Sequence, residues 1–170
     1  MEGAGRMSPR DNRARLNCAD GFGDVFEMVK QAAESSLGKH RGGLSLVLGD
    51  IPNNIGAYHQ MGSNAIVMNR NLLRIVEKTS KSKAETNSYV FMILLHEYLH
   101  SLGYEDDGQV RSLGKDIAGR YFGEGHMASE MAVRPLEVFF PDFGRYAAFR
   151  DKGDYETVGR FDRSSTSYIA

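Results

Sequence analysis

Tyr89-Val90-Phe91-Met92-Ile93-Leu94-Leu95-His96-Glu97-Tyr98-Leu99-His100-Ser101-Leu102-Gly103 is the stretch on which the reading of this chain turns. On an α-helix, residues four apart lie on one face, one turn above each other. The imidazoles of His96 and His100 can therefore converge on one metal ion, with Glu97 beside them. Tyr89 to Leu95 is apolar on every side, as a buried helix is, and Gly103 suits the residue just past a helix end. Two histidines and a glutamate have little reason to sit there unless something binds them; the competing explanation is a pair of satisfied core histidines.

The spacing His-Glu-x-x-His on a helix is that of zinc hydrolases. Two imidazole nitrogens hold Zn²⁺, an open position holds water, and the glutamate takes that water's proton. It predicts an enzyme with Zn²⁺ on His96 and His100 and with Glu97 as catalytic base. Such sites usually take a third protein ligand. A helix over about 107–122 is roughly 24 Å long, so if it starts beside His100 its far end lies well away. His126 lies just beyond that end and can return at most roughly 14 Å, which makes it a poor ligand; Glu130 would need a fully extended loop. Asp106 and Asp107 remain. Asp106 with Gln109 three residues on imitates a capping box. If Asp106 is the N-cap, Asp107 is left to turn toward the metal; if not, Asp106 takes that place.

Around this stretch the pattern predicts an α+β fold, a small mixed β-sheet with the metal helix and flanking helices on one face. Val25, Phe26, Met28, Val29, Ala32 and Ala33 recur at helical spacing up to Gly38. Leu44 to Leu48, bounded by Gly42-Gly43 and Gly49-Asp50, reads as a buried strand, and Ile55–His59 and Ala65–Met68 flank a Gly-Ser-Asn turn as a hairpin. A helix through Leu72, Leu73, Ile75 and Val76 leads to the metal helix, which starts at about Glu85. Val110, Leu113, Ile117 and Tyr121 give the next helix one apolar face that packs on it. Pro135 and Pro141 keep Leu136 to Phe140 out of any long helix. Residues 1–18, rich in Arg and Gly, and 150–170, polar and Ser-rich, carry so little apolar surface that both are expected to be flexible tails around a single domain over 19–149.

The 170 residues suffice for one domain with a real core. Lys plus Arg at 21 against Asp plus Glu at 22 leaves a formal charge of -1, so no nucleic-acid or anionic-membrane partner is expected. The single Cys18 excludes an internal disulfide, no secretory pattern opens the chain, and no apolar run approaches the roughly 20 residues of a membrane span. A cytoplasmic location is the expectation.

The segment from His96 to Asp107, with the sheet and helix before it, resembles a minimal zincin metallopeptidase, most similar to the small minigluzincin-type proteins known from archaea. In gluzincins the third ligand is an acidic residue opening a helix, often with a small apolar residue three positions on; Asp107 with Val110 matches that pattern, with Asp in place of Glu. His96-Glu97-x-x-His100-x-x-Gly103-x-x-Asp106 also resembles a metzincin-like signature, which would give the metal to Asp106. The resemblance, over about residues 20–143, implies a peptide or protein substrate laid along an exposed edge strand, for which the 55–69 hairpin is the candidate. Small zincins of this kind can be latent, with a terminal segment in the cleft. Two rivals stand beside it. Leu99-His100-Ser101-Leu102-Gly103-Tyr104 resembles the metal motif of YbeY-type endoribonucleases, but that family has Gly at the place of Glu97 and His at that of Asp106. Alternatively, zinc only staples a non-catalytic binding protein. Tyr58 and Tyr104 could donate to a developing oxyanion or simply pack. His40 and His59 read as surface or sheet histidines.

Overall fold

The computed structural model describes residues 5–146 and 155–163. The helix carrying His96 and His100 is its axis. Residues Lys83–Ser101 form α4, capped by Ser82, whose hydroxyl accepts the Glu85 N–H. Tyr89, Phe91, Leu94, Tyr98 and Leu99 are fully buried, while Met92, Ile93, His96 and His100 form a half-open stripe. Around α4 pack Gly21–Leu37 (α2), Asp107–Phe122 (α5) and Met127–Met131 (α6), with Val110 and Ile117 of α5 buried as the spacing predicts. Gly38 ends α2 in the left-handed conformation (φ 64°), a position that glycine takes without strain.

Ser45–Gly49 (β1), Ala57–His59 (β2), Ala65–Asn69 (β3) and Tyr155–Thr157 (β4) form one mixed sheet in the order β2-β3-β1-β4. β1 runs parallel to β3, with Leu46 opposite Ile66, and β2 pairs antiparallel with β3, with Tyr58 opposite Val67. The protein is thus α+β. Asn69 closes β3 and caps Arg70–Thr79 (α3) through Leu72 N–H, and its amide donates to the carbonyls of Ile51, Pro52 and Ile55, pinning the loop before β2. Leu136–Phe139 (α7) and Phe143–Tyr146 (α8) are single turns set off by the two prolines.

Both expected tails need correction where the structure describes them. Pro9–Cys18 is a helix (α1) with a complete Ser8/Asp11 capping box. Its Leu16 is fully buried, Asn12 donates to the Tyr121 carbonyl at 2.9 Å, and Asn87 of α4 donates to the Leu16 carbonyl at 2.7 Å. One leucine and a set of polar side chains hold it, which a count of apolar residues does not register. At the other end β4 pairs antiparallel with β1, Phe161 stacks on Phe26 with centroids 4.2 Å apart, and buried Asp162 accepts from Lys30 at 2.9 Å and from Leu44 N–H at 3.0 Å. The domain therefore takes in residues 9–18 and 155–163. The Ser-rich end, 164–170, lies outside the described residues. Among the described residues no helix is long and apolar enough to cross a membrane.

Candidate metal centre and cleft

The end of α4 sets the geometry of the site. Gly103, at φ 103°, turns the chain back, its N–H bonding the His100 carbonyl (3.0 Å) and the Tyr104 N–H the Leu99 carbonyl (3.2 Å). This is the Schellman pattern, open to glycine because it lacks a Cβ. The turn returns the Tyr104 carbonyl to within 2.7 Å of His100 Nδ1. A carbonyl only accepts, so Nδ1 carries a proton, and Nε2 is the nitrogen turned toward His96 and Asp107. Three residues later Asp106 is the N-cap of α5, its Oδ1 accepting the Gln109 N–H at 2.7 Å. Asp107, the first helical residue, then faces the two histidines.

His96 Nε2, His100 Nε2 and Asp107 Oδ1 form a triangle with sides of 3.2, 3.0 and 3.4 Å. Three groups that present lone pairs to one another need a positive charge between them, a proton or a metal ion. The corners of a tetrahedron with bonds of about 2.0–2.1 Å lie about 3.3–3.4 Å apart. The observed sides fit that figure, so these three residues could hold a metal ion. Of the two candidate aspartates, Asp107 joins the histidines and Asp106 is engaged in the helix cap.

The electrostatics follow from burial and neighbours. Burial pushes the His96 pKa down, His100 and Arg111 push it further, and hydrogen bonding to Asp107 pulls against them, leaving it below the usual imidazole value. Burial raises Asp107, but its bonds to His100 and His96 outweigh that and hold it below the carboxylate range. Glu97, only 5% exposed, is pushed by burial up to about 7; His100 draws it down, Asp107 raises it, and the backbone of His59 draws it down. A carboxylate near neutrality in an apolar wall is placed to accept and return a proton.

All four residues line one cleft of about 970 Å³. Its floor is the half-open stripe of α4. One wall is the loop before β2 and β2 itself, Asn53 to His59, with Met61; the other is the segment Met131 to Glu137. Arg41 ties the first wall to the floor: its guanidinium donates to the Ser101 carbonyl at the end of α4 and to the Ser63 carbonyl and Asn64 Oδ1 in the β2–β3 turn, each at 2.9–3.0 Å. Its backbone N–H meets the Tyr98 hydroxyl, also at 2.9 Å.

Tyr58 lines the cleft, whereas the Tyr104 ring lies under the Lys39 ammonium, 4.4 Å away, and contributes its carbonyl instead. His126 caps α6 through Ala128 N–H and stacks on Phe122, and Glu130 pairs with Arg134 at 3.1 Å; both are occupied elsewhere. His40 is exposed. His59, read in the sequence as a sheet histidine, does sit on β2, yet it also lines the cleft, with Nδ1 bonded to the Ala65 carbonyl at 3.0 Å. Nothing local in the sequence marks it, because hairpin register decides which way it faces. Comparison of the chain with family models, with curated proteins and with solved structures found no match.

Proposed function

We propose that the protein is a zinc-dependent metallopeptidase. The observation that carries this is the convergence of His96 Nε2, His100 Nε2 and Asp107 Oδ1 within 3.4 Å of one another. Buried Glu97 and the short edge strand β2 lie in the same cleft. His96, His100 and Asp107 would hold the ion, their imidazole and carboxylate donors suiting zinc. Zinc, when bound, supplies Lewis acidity that acidifies water and polarises a peptide carbonyl. Glu97 accepts the water's proton on its carboxylate and returns it to the leaving amine. The outer edge of β2, which among the described residues pairs only with β3, offers backbone groups to an extended peptide.

The test pairs metal analysis with cleavage of mixed peptides by the wild type and by Glu97→Gln. The amide keeps the side chain's shape but cannot take a proton, so zinc content should stay near wild type while the rate falls by about 10²–10⁴. Unchanged cleavage in the variant would remove the proposed base, and RNA cleavage in place of peptide cleavage would favour a nuclease.

A further inference from the structure

Arg111 differs from the other charged groups of the cleft. It follows Asp107 by four residues on α5, so the two side chains share one helix face, about 6 Å apart along the axis. An aspartate followed at that spacing by an arginine ordinarily pairs with it across the turn. Here Asp107 Oδ1 is turned instead to His100 Nε2 at 3.0 Å and to His96 Nε2 at 3.4 Å. Arg111 lines the cleft, close enough to His96 for its charge to disfavour the imidazolium, yet among the described residues no carboxylate lies within ion-pair distance of it. The cleft's other guanidinium, Arg134, is taken by Glu130 at 3.1 Å. An unpaired arginine on open surface is ordinary; one inside a cleft, a helix turn from the metal-binding triad, is placed to meet a ligand.

The chemistry of that ligand follows from the side chain. A guanidinium never gives up its proton, so Arg111 is a fixed cation and neither an acid nor a base. Its planar fork matches a carboxylate through two parallel N–H···O bonds. An extended peptide advances about 3.3–3.6 Å per residue, so a carboxylate on the residue next to the scissile bond lies about 4–7 Å from the carbonyl under attack. That span matches the offset between Asp107 and Arg111. With Asp107 committed to the triad, the charge of Arg111 is free to act on that residue.

We propose that Arg111 is a carboxylate-binding residue, and that the substrate is a peptide with a carboxylate beside the bond that is cut, supplied by an Asp or Glu side chain or by the free C-terminus. This rests on the peptidase reading, and the experiment keeps the two apart. In one arm, labelled peptides amidated at the C-terminus carry Glu or Gln at the centre. In the other, the Gln peptide has a free or an amidated C-terminus. Binding is read by fluorescence anisotropy on zinc-loaded full-length Glu97→Gln, alone and combined with Arg111→Gln or Arg111→Lys; cleavage by the zinc-loaded wild type is read by mass spectrometry. In at least one arm the carboxylate peptide should bind about tenfold or more tighter than its amide counterpart. Arg111→Gln should remove most of that preference at unchanged zinc content, and Arg111→Lys should keep part of it. A preference in the internal arm identifies the acidic side chain; one in the terminal arm, with release of single C-terminal residues, identifies the free terminus. Equal binding in both arms, or a preference that survives Arg111→Gln, overturns the role of Arg111, and cleavage continuing in that case leaves the peptidase standing. Carboxylate binding that depends on Arg111 without cleavage of any peptide does the reverse, and neither preference nor cleavage sinks both.

Discussion

Removing Asp106 and Asp107 one at a time gives effects of different kind. Asp107 is 71% exposed in its side chain, so its contacts with the histidines in the metal-free protein are solvent-screened, and Asp107→Ala should change intrinsic stability by no more than about 0.5 kcal/mol. Its effect lies in the metal. With zinc at 100 times its dissociation constant, a site present only in the folded state adds about 2.7 kcal/mol. For a domain of this size that is a rise in midpoint of roughly 5–11 °C. Asp107→Ala removes one of the three residues proposed to hold the ion and should lose most of that rise. Asp106→Ala removes the bond to Gln109 N–H and should cost about 1 kcal/mol, a midpoint roughly 2–4 °C lower, while keeping the full zinc-induced rise. Differential scanning fluorimetry of both variants with chelator and with zinc reads the two quantities separately. If Asp106→Ala loses the zinc response while Asp107→Ala keeps it, the ligand assignment made here is refuted and the metzincin-like spacing holds.

Leu16→Ala should cost about 2–5 kcal/mol in chemical denaturation, because the side chain is fully buried beneath α1; a change near zero would restore the loose N-terminus. Asp162→Ala should cost about 1–3 kcal/mol in equilibrium denaturation, because the buried Leu44 N–H loses its acceptor while Lys30 keeps its ion pair with Glu27. Burial lowers the Lys30 pKa, but bonds to Glu27 and Asp162 more than offset it and raise it above the ordinary lysine value. The group is therefore fully stabilising at neutral pH, and that share is lost only as pH climbs through the raised value, visible as a steeper alkaline limb in wild type than in Lys30→Met. Tyr89→Phe should be neutral or stabilising by up to about 1 kcal/mol in the same assay, since its buried hydroxyl has no hydrogen-bond partner among the described residues; a clear loss would reveal a partner.

What the sequence made legible was local. The helix with His96 and His100 on one face, its stop at Gly103 and the Asp106 cap each depend on residues within a turn or two, and the apolar spacing of α2, α3 and α5 is a property of each helix alone. The hairpin and the mixed sheet followed from short apolar runs between turn residues. What stayed hidden depended on distant partners. α1 is fastened through Asn12 to Tyr121, 109 residues away, and its only fully buried apolar side chain is Leu16. The three residues of β4 are all exposed, so they show no alternation; backbone pairing with β1 makes them a strand. In the site, His96, Glu97 and His100 were evident from spacing, whereas the choice between the aspartates needed the turn geometry, and His59 with the 131–137 wall needed the tertiary arrangement.

Arg41 has a mechanical meaning. One guanidinium joins the last turn of α4 to the turn that closes the β2–β3 hairpin, and Asn69 clamps the opposite end of that hairpin to the loop before it. The edge strand and the helix bearing His96 and His100 are thus joined at the turn end of the hairpin, while its other end is pinned to the loop before β2. A segment fixed at both ends has little entropy left to lose when a chain docks along it, so this wall gives up almost nothing on association. Adjustment to differently sized guests then falls to the other side of the groove, where Val133 and its neighbours sit on short turns between α6 and α7.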